Sequence, residues 1–308
     1  MSERWLWTQK EDIGPRPRWG AALAFEAARQ RVVLFGGTDT NIGTGFNDTW
    51  EWDGGAWTQV ADMGPQGRWY SAMAYDDSRQ QLVLFGGGVR GTQGYQANVD
   101  TWEWNGTEWT QVADIGPDPR MSCALTYDTV RQSAVLFGGY DHPNKYFDDT
   151  WEWDGTEWTQ IADTGPPPRL HPAMAFDRER ECLVLFGGWG GGSGGYGWLG
   201  DTWEWRADTG WVKRQDIGPH DMAYPKMVYT GEHTVLVGAP EAGSAAEHTW
   251  EWDGRLWTQR QDMGPPFRSA YALAHDSQRD RVVLYGGQAT APPYPPVGDT
   301  WELVILEQ

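Results

Sequence analysis

The phrase "DTWEW" stands at 48–52, 100–104, 149–153 and 201–205, and returns as "HTWEW" at 248–252 and "DTWEL" at 299–303. Six such phrases about fifty residues apart leave the chain little freedom, because each unit must be one small supersecondary element that buries its apolar face against the next copy. Each phrase follows an apolar run closed by a glycine pair: "VVLFGG" at 32–37, "LVLFGG" at 82–87, "AVLFGG" at 134–139, "LVLFGG" at 183–188 and "VVLYGG" at 282–287. The fifth unit has "VLVGA" at 235–239 instead. After the first five phrases a turn such as "DGTE" leads to Trp57, Trp109, Trp158, Trp211 or Trp257, mostly within "WTQ". The sixth unit lacks this piece, and "WTQ" appears at 7–9. A fragment missing at one end and present at the other predicts a ring whose last unit is completed by the N-terminal strand.

Four short β-type segments per unit, punctuated by Gly, Pro, Asn and Asp, predict a four-stranded antiparallel sheet. Within "DTWEW" the two tryptophans alternate with Thr and Glu and so share one sheet face, as packing residues. With its glycine pair, spaced aromatic and unit length, the chain resembles the Kelch repeat family over its whole length. The resemblance implies an all-β, six-bladed β-propeller in one domain, 1–308. The expected blades are 18–60, 68–112, 120–161, 169–214, 222–260, and 268–305 with 5–9.

The formal charge of −19 argues against a nucleic-acid partner, since phosphate binding needs clustered Lys and Arg. No apolar run is long enough for a membrane span, and "MSERWLWTQK" has neither a basic n-region nor an apolar h-region, so the expectation is cytoplasmic. Cys123 and Cys182 lie in different units in apolar settings and read as buried free thiols. There is no "HExxH", paired "CxxC" or EF-hand loop, and no cofactor or metal is expected. "GGSGG" at 191–195 matches a serine elbow only formally, since no helix follows it. The sequons at 47–49 and 105–107 matter only for a secreted chain.

The innermost strand of each unit begins with an octet: "RWGAALAF" at 18–25, "RWYSAMAY" at 68–75, "RMSCALTY" at 120–127, "RLHPAMAF" at 169–176, "MAYPKMVY" at 222–229 and "RSAYALAH" at 268–275. The resemblance places the start of this strand, with the variable loops after the glycine pairs, around one mouth of the central channel. Variable loops on a regular frame are where specificity is written. Arg18, Arg68, Arg120, Arg169 and Arg268 admit two readings: a tie between neighbouring blades, as the resemblance implies, or a cationic collar for an anion. Trp19, Trp69, Tyr70, Tyr140 and Trp189 are candidates for stacking on a ligand at this mouth, Trp5 and Trp198 being the other tryptophans outside the repeat frame.

The fifth octet replaces a small residue with a charged one. Ala22, Ala72, Ala124, Ala173 and Ala272 correspond to Lys226, which should reach a crowded region where burial lowers its pKa. The same unit has Met222 for the arginine and brings Glu241, Glu247 and His248 into its loop. Either the unit is remodelled around a working lysine, with Tyr224 beside it, or the repeat has drifted and the amine pairs with Glu241 or Glu247.

Two functions follow. The leading one is a binding propeller that presents the loop face to a peptide, protein or glycan. The alternative is an enzyme of mutarotase, isomerase or cyclase type acting at the same mouth on a small anionic or sugar-like molecule. Arg120 and Arg169 would then hold the anion, Trp19, Trp69 and Tyr70 would stack on the substrate, and His171 or Lys226, with Tyr224, would exchange protons. Convergence of Lys226, Tyr224 and His171 on a closed pocket would favour chemistry, and a broad face would favour recognition.

Overall fold

The computed structural model describes residues 3–307 apart from 11–12, 40–43, 92–93, 144, 193–194, 216–217, 221, 241–244 and 262. Six antiparallel four-stranded sheets form the blades, and their inner strands, Ala22–Glu26, Ala72–Asp76, Ala124–Asp128, Ala173–Asp177, Met222–Tyr229 and Ala272–Asp276, surround the axis. The last blade is built from Ala272–Asp276, Arg281–Tyr285, Thr300–Glu307 and the N-terminal strand Glu3–Gln9, which sets Trp7 opposite Leu303 and Trp5 opposite Ile305. The ring is closed as the displaced "WTQ" predicted. Among the described residues no helix is long and apolar enough to cross a membrane.

Each letter of the repeated phrase has a partner. The threonine hydroxyl accepts a hydrogen bond from the outer tryptophan of the next blade: Trp57 to Thr300, Trp109 to Thr49, Trp158 to Thr101, Trp211 to Thr150, Trp257 to Thr202 and Trp7 to Thr249, all at 2.8–2.9 Å. A buried indole must place its N–H, and this pairing does so at all six seams. The second tryptophan of the phrase fills the blade core, with Trp52 and Trp104 fully buried. Its glutamate meets an arginine from the turn between the first two strands, as in Arg79 with Glu103 at 2.6 Å.

The five octet arginines are buried, none more than 2 % exposed. Each guanidinium lies bidentate on the aspartate of its own blade's phrase; Arg169, for example, is 2.7 and 2.9 Å from the two Asp201 oxygens. Phe46 and Phe147 cover the Arg18 and Arg120 guanidiniums at 4.2 and 3.7 Å. The side chains therefore tie strands within a blade, and the blade-to-blade tie is made by the backbone of the same residue. Gly37 N–H donates to the Arg68 carbonyl, and Arg68 N–H donates to the Phe46 carbonyl, at 2.9 and 3.2 Å. That seam explains the glycine pair: Gly36 has φ +71°, and a Cβ on it would stand 2.7 Å from the Arg68 carbonyl oxygen.

Burial pushes the carboxyls of Asp48, Asp100, Asp149 and Asp201 upward, but the arginine hydrogen bonds and charge outweigh it and hold all four below the usual range. The same aspartates accept the first tryptophan's N–H, as in Trp151 to Asp149 at 2.7 Å. Blade 5 has lost the whole set: Met222 stands for the arginine, His248 for the aspartate, and the Trp250 N–H is buried without a partner.

Candidate functional site

The third residue of every octet turns left-handed: Gly20, Tyr70, Ser122, His171, Tyr224 and Ala270 have φ between +49° and +67°. Five of the six are not glycine, so the geometry is imposed by the ring rather than by local preference. Backbone bonds pass from blade to blade through these residues: Gly20 N–H to Ala270, Tyr70 to Gly20, Ser122 to Tyr70 and His171 to Ser122, at 2.7–2.9 Å. The circlet points their side chains towards the axis.

Three of these side chains meet there. The Tyr70 ring lies 4.6 Å edge-on to His171, His171 lies 4.9 Å from Tyr224, and Tyr70 and Tyr224 hydrogen-bond to each other. These residues come from blades 2, 4 and 5, so their contact spans the channel and stoppers it at the loop face. Trp19 packs on Tyr70 at 5.4 Å, and Trp198 on Tyr224 at 4.9 Å. Trp189 follows at 5.4 Å from Trp198.

Beneath the stopper lies a cavity of ≈ 30 Å³ lined by Tyr70, Ser122, Cys123, His171, Tyr224 and Lys226, among others. Lys226, Tyr224 and His171 thus converge on one enclosed space. Burial drives the His171 imidazole well below its ordinary pKa, and the Lys226 charge adds to that. Burial also lowers the Lys226 amine and, with the charged neighbours a minor influence, pushes the Cys123 thiol up to about 12. Cys123 and Cys182 are both free.

The remaining candidates are placed as follows. Arg18, Arg68, Arg120, Arg169 and Arg268 are engaged with their aspartates and line none of the channel cavities. Trp69 is buried, with Tyr95 edge-on to it at 5.5 Å. Trp5 is buried in the last seam beside His233, away from the mouth. Glu241 lies outside the described residues. Glu247 is fully buried between blades 5 and 6 and accepts the Arg268 backbone N–H at 2.9 Å, while its second oxygen has no partner.

Burial raises the Glu247 carboxyl from 4.5 to about 8, with Arg268 opposing only in part. A carboxyl whose folded pKa is raised stabilises fully below its unfolded value and loses that contribution as pH climbs to the folded one. Glu247→Gln is expected to flatten the decline in melting temperature between about pH 4.5 and 8, and to stabilise the protein at the upper end by about 2 kcal/mol. A parallel decline in wild type and variant would contradict this.

Glu3, His233 and Glu251 bring three ligand-type atoms within 4.8 Å of one another. The Arg260 guanidinium occupies the same Glu251 carboxylate, and arginines fill the His233 role in other blades, so this is the repeat's ion-pair position with a histidine in it.

What sequence reading missed is that three loops of the loop face are paired as hairpins, with tyrosines that come together. Three consecutive hairpins rise from it: Gly88–Gly91 with Gly94–Ala97, Tyr140–Asp141 with Lys145–Tyr146, and the continuation of Cys182–Gly192 and Gly195–Arg206. They carry tyrosines. Tyr95 is 57 % and Tyr196 67 % exposed, and Tyr146 stacks between Tyr140 at 5.1 Å and Tyr196 at 5.3 Å. The signal was present in the loop strings, where each of these loops holds at least one tyrosine.

The chain is thus a six-bladed propeller with an axial channel that is stoppered at its loop face. Residues 70–287 match the family model described as the KLHDC2/KLHL20/DRC7 Kelch-repeats domain, and the chain belongs to that Kelch-repeat family. A solved chain titled "Structure of YjhT" superposes with a TM-score of 0.71 at 14 % identity, covering 96 % of this chain and 99 % of that one. At this identity the likeness concerns the fold. Comparison with curated proteins finds no match.

Proposed function

We propose that the protein is a binding module that seats a polypeptide partner on the loop face, across the hairpins of blades 2, 3 and 4. The observation that carries this reading is the tyrosine array of Tyr95, Tyr140, Tyr146 and Tyr196, partly stacked and partly exposed, on three neighbouring hairpins. Tyrosine gives large contact area for little lost side-chain entropy and can still hydrogen-bond, which is why it is enriched in protein recognition surfaces. A hairpin edge adds main-chain donors and acceptors for an extended peptide.

The convergence of His171, Tyr224 and Lys226 on one cavity speaks for the enzymatic alternative at the same mouth, but the size of that cavity speaks against it. The cavity beneath Tyr70, His171 and Tyr224 measures ≈ 30 Å³, room for a water-sized guest. A sugar could occupy it only if the three rings moved apart. The arginines that would hold an anion are already spent on Asp48, Asp100, Asp149, Asp201 and Asp299.

Selection of a displayed peptide library on the wild-type protein tests the proposal. Peptides so obtained are expected to bind the combined Tyr140→Ser, Tyr146→Ser, Tyr196→Ser variant at least about tenfold more weakly. Undiminished binding to that variant would refute the assignment.

A further inference from the structure

The channel is open at its other end. The octets run along the axis, so each position forms a ring at one depth. The eighth residues, Phe25, Tyr75, Tyr127, Phe176, Tyr229 and His275, line a vestibule of ≈ 260 Å³ at the face opposite the hairpins. The sixth residues, Leu23, Met73, Leu125, Met174, Met227 and Leu273, form a girdle shared by that vestibule and an inner chamber of ≈ 110 Å³. The fifth residues are five alanines and Lys226, and Lys226 lines both the inner chamber and the smaller cavity under the stopper.

Among the described residues Lys226 is the one formally charged side chain at that depth, and none that lines either cavity it faces is a carboxylate. Its amine makes no hydrogen bond or ion pair with any described residue. The residue is partly accessible, and it is accessible to the interior of the channel. A charged group without a partner inside a protein is costly to keep. The group that repays that cost is an anion arriving along the channel, past the vestibule ring and then the ring of sixth residues.

We infer that the channel is a binding site for small monocarboxylates, admitted through the aromatic vestibule, with the carboxylate held at the Lys226 amine. From Lys226 to the vestibule ring is three strand positions, about 10 Å, the span of a short alkyl chain. The site is separate from the hairpin face, and it stands or falls independently of the polypeptide reading.

The probes are hexanoate and its uncharged counterpart hexanamide. The chain has four lysines, Lys10, Lys145, Lys213 and Lys226, so reductive methylation with labelled formaldehyde gives few dimethyl-lysine NMR signals to assign. Hexanoate is expected to move the Lys226 signal and leave the other three in place, and to bind at least about tenfold more tightly than hexanamide. Lys226→Met should abolish that preference; if this variant does not fold, the wild-type NMR titration reads the same contact. A Lys226 signal unmoved by hexanoate up to about 10 mM, or hexanoate binding undiminished in Lys226→Met, would overturn the proposal. For the direction of access, a polyethylene-glycol maleimide attached through Ser277→Cys, at the vestibule rim, should slow hexanoate association. The same label attached through Tyr196→Cys on the hairpin face should not, and the reverse pattern would place the opening at the other end.

Discussion

Deleting residues 1–10 abolishes the cooperative thermal transition of this protein at neutral pH. That expected result follows from what the N-terminal strand carries. Trp5 and Trp7 are 4 % and 7 % exposed, packed in the last blade and its seam with blade 5. The Trp7 N–H supplies the sixth of the six indole-to-threonine bonds, to Thr249 at 2.8 Å. Trp7→Ala alone should cost about 3–5 kcal/mol, as removal of a buried tryptophan does. Deletion also strips Thr300–Glu307 of its outer partner and leaves an edge strand with unpaired backbone. A synthetic peptide of residues 1–10 added in excess should restore a transition, because the missing strand then binds only the folded form. A truncated protein melting within a few degrees of full length would show that the ring does not depend on this closure.

The second large effect concerns the buried ion pairs. Arg169→Met should destabilise the protein by about 3–5 kcal/mol, because it leaves the Asp201 carboxylate partly buried without its counter-charge. For a chain of this size that amounts to a fall in melting temperature of roughly 5–8 °C. Blade 5 supplies the control within the molecule: it has methionine and histidine where the others have arginine and aspartate. The double variant Arg169→Met, Asp201→His copies that pairing and should be less destabilised than Arg169→Met. The pH dependence has a definite sign. Asp201 is held below its ordinary value, so the pair's contribution is present above the unfolded aspartate pKa and is lost as pH falls through the folded one. Arg169→Met should therefore show a shallower acid limb than wild type. Equal slopes, or a double variant worse than the single, would contradict the assignment.

Much of this was legible in the sequence because the chain states its fold six times. The unit, the blade count and the closure follow from the spacing of "DTWEW" and the displaced "WTQ" alone. Lys226 was legible for the same reason: five alanines make one lysine conspicuous. The arginines show where the reading stopped. Their charge is visible in the sequence, but their commitment to aspartates some thirty positions later in the same blade is a tertiary fact. A trace of it was present, since Met222 and His248 depart from the pattern together. The left-handed circlet left no trace at all. Tyr70 and Tyr224 are not residues that favour positive φ, and at Tyr70 and His171 the conformation accompanies a backbone bond to the neighbouring blade. The stopper that separates the hairpin face from the channel therefore emerges only in three dimensions, and with it the division of the molecule into a hairpin face and a channel that opens at the other end.

The measurement that bears most directly on the polypeptide-binding account is hydrogen–deuterium exchange on the protein with and without a library-selected peptide. The account predicts protection in 88–97, 140–147 and 187–199, the hairpin regions of blades 2, 3 and 4. The turns on the opposite face, at 26–31, 76–81, 128–133, 177–182, 229–234 and 276–281, should exchange unchanged. Protection confined to those turns, with the hairpins unaffected, would contradict the account and move recognition to the vestibule end of the propeller.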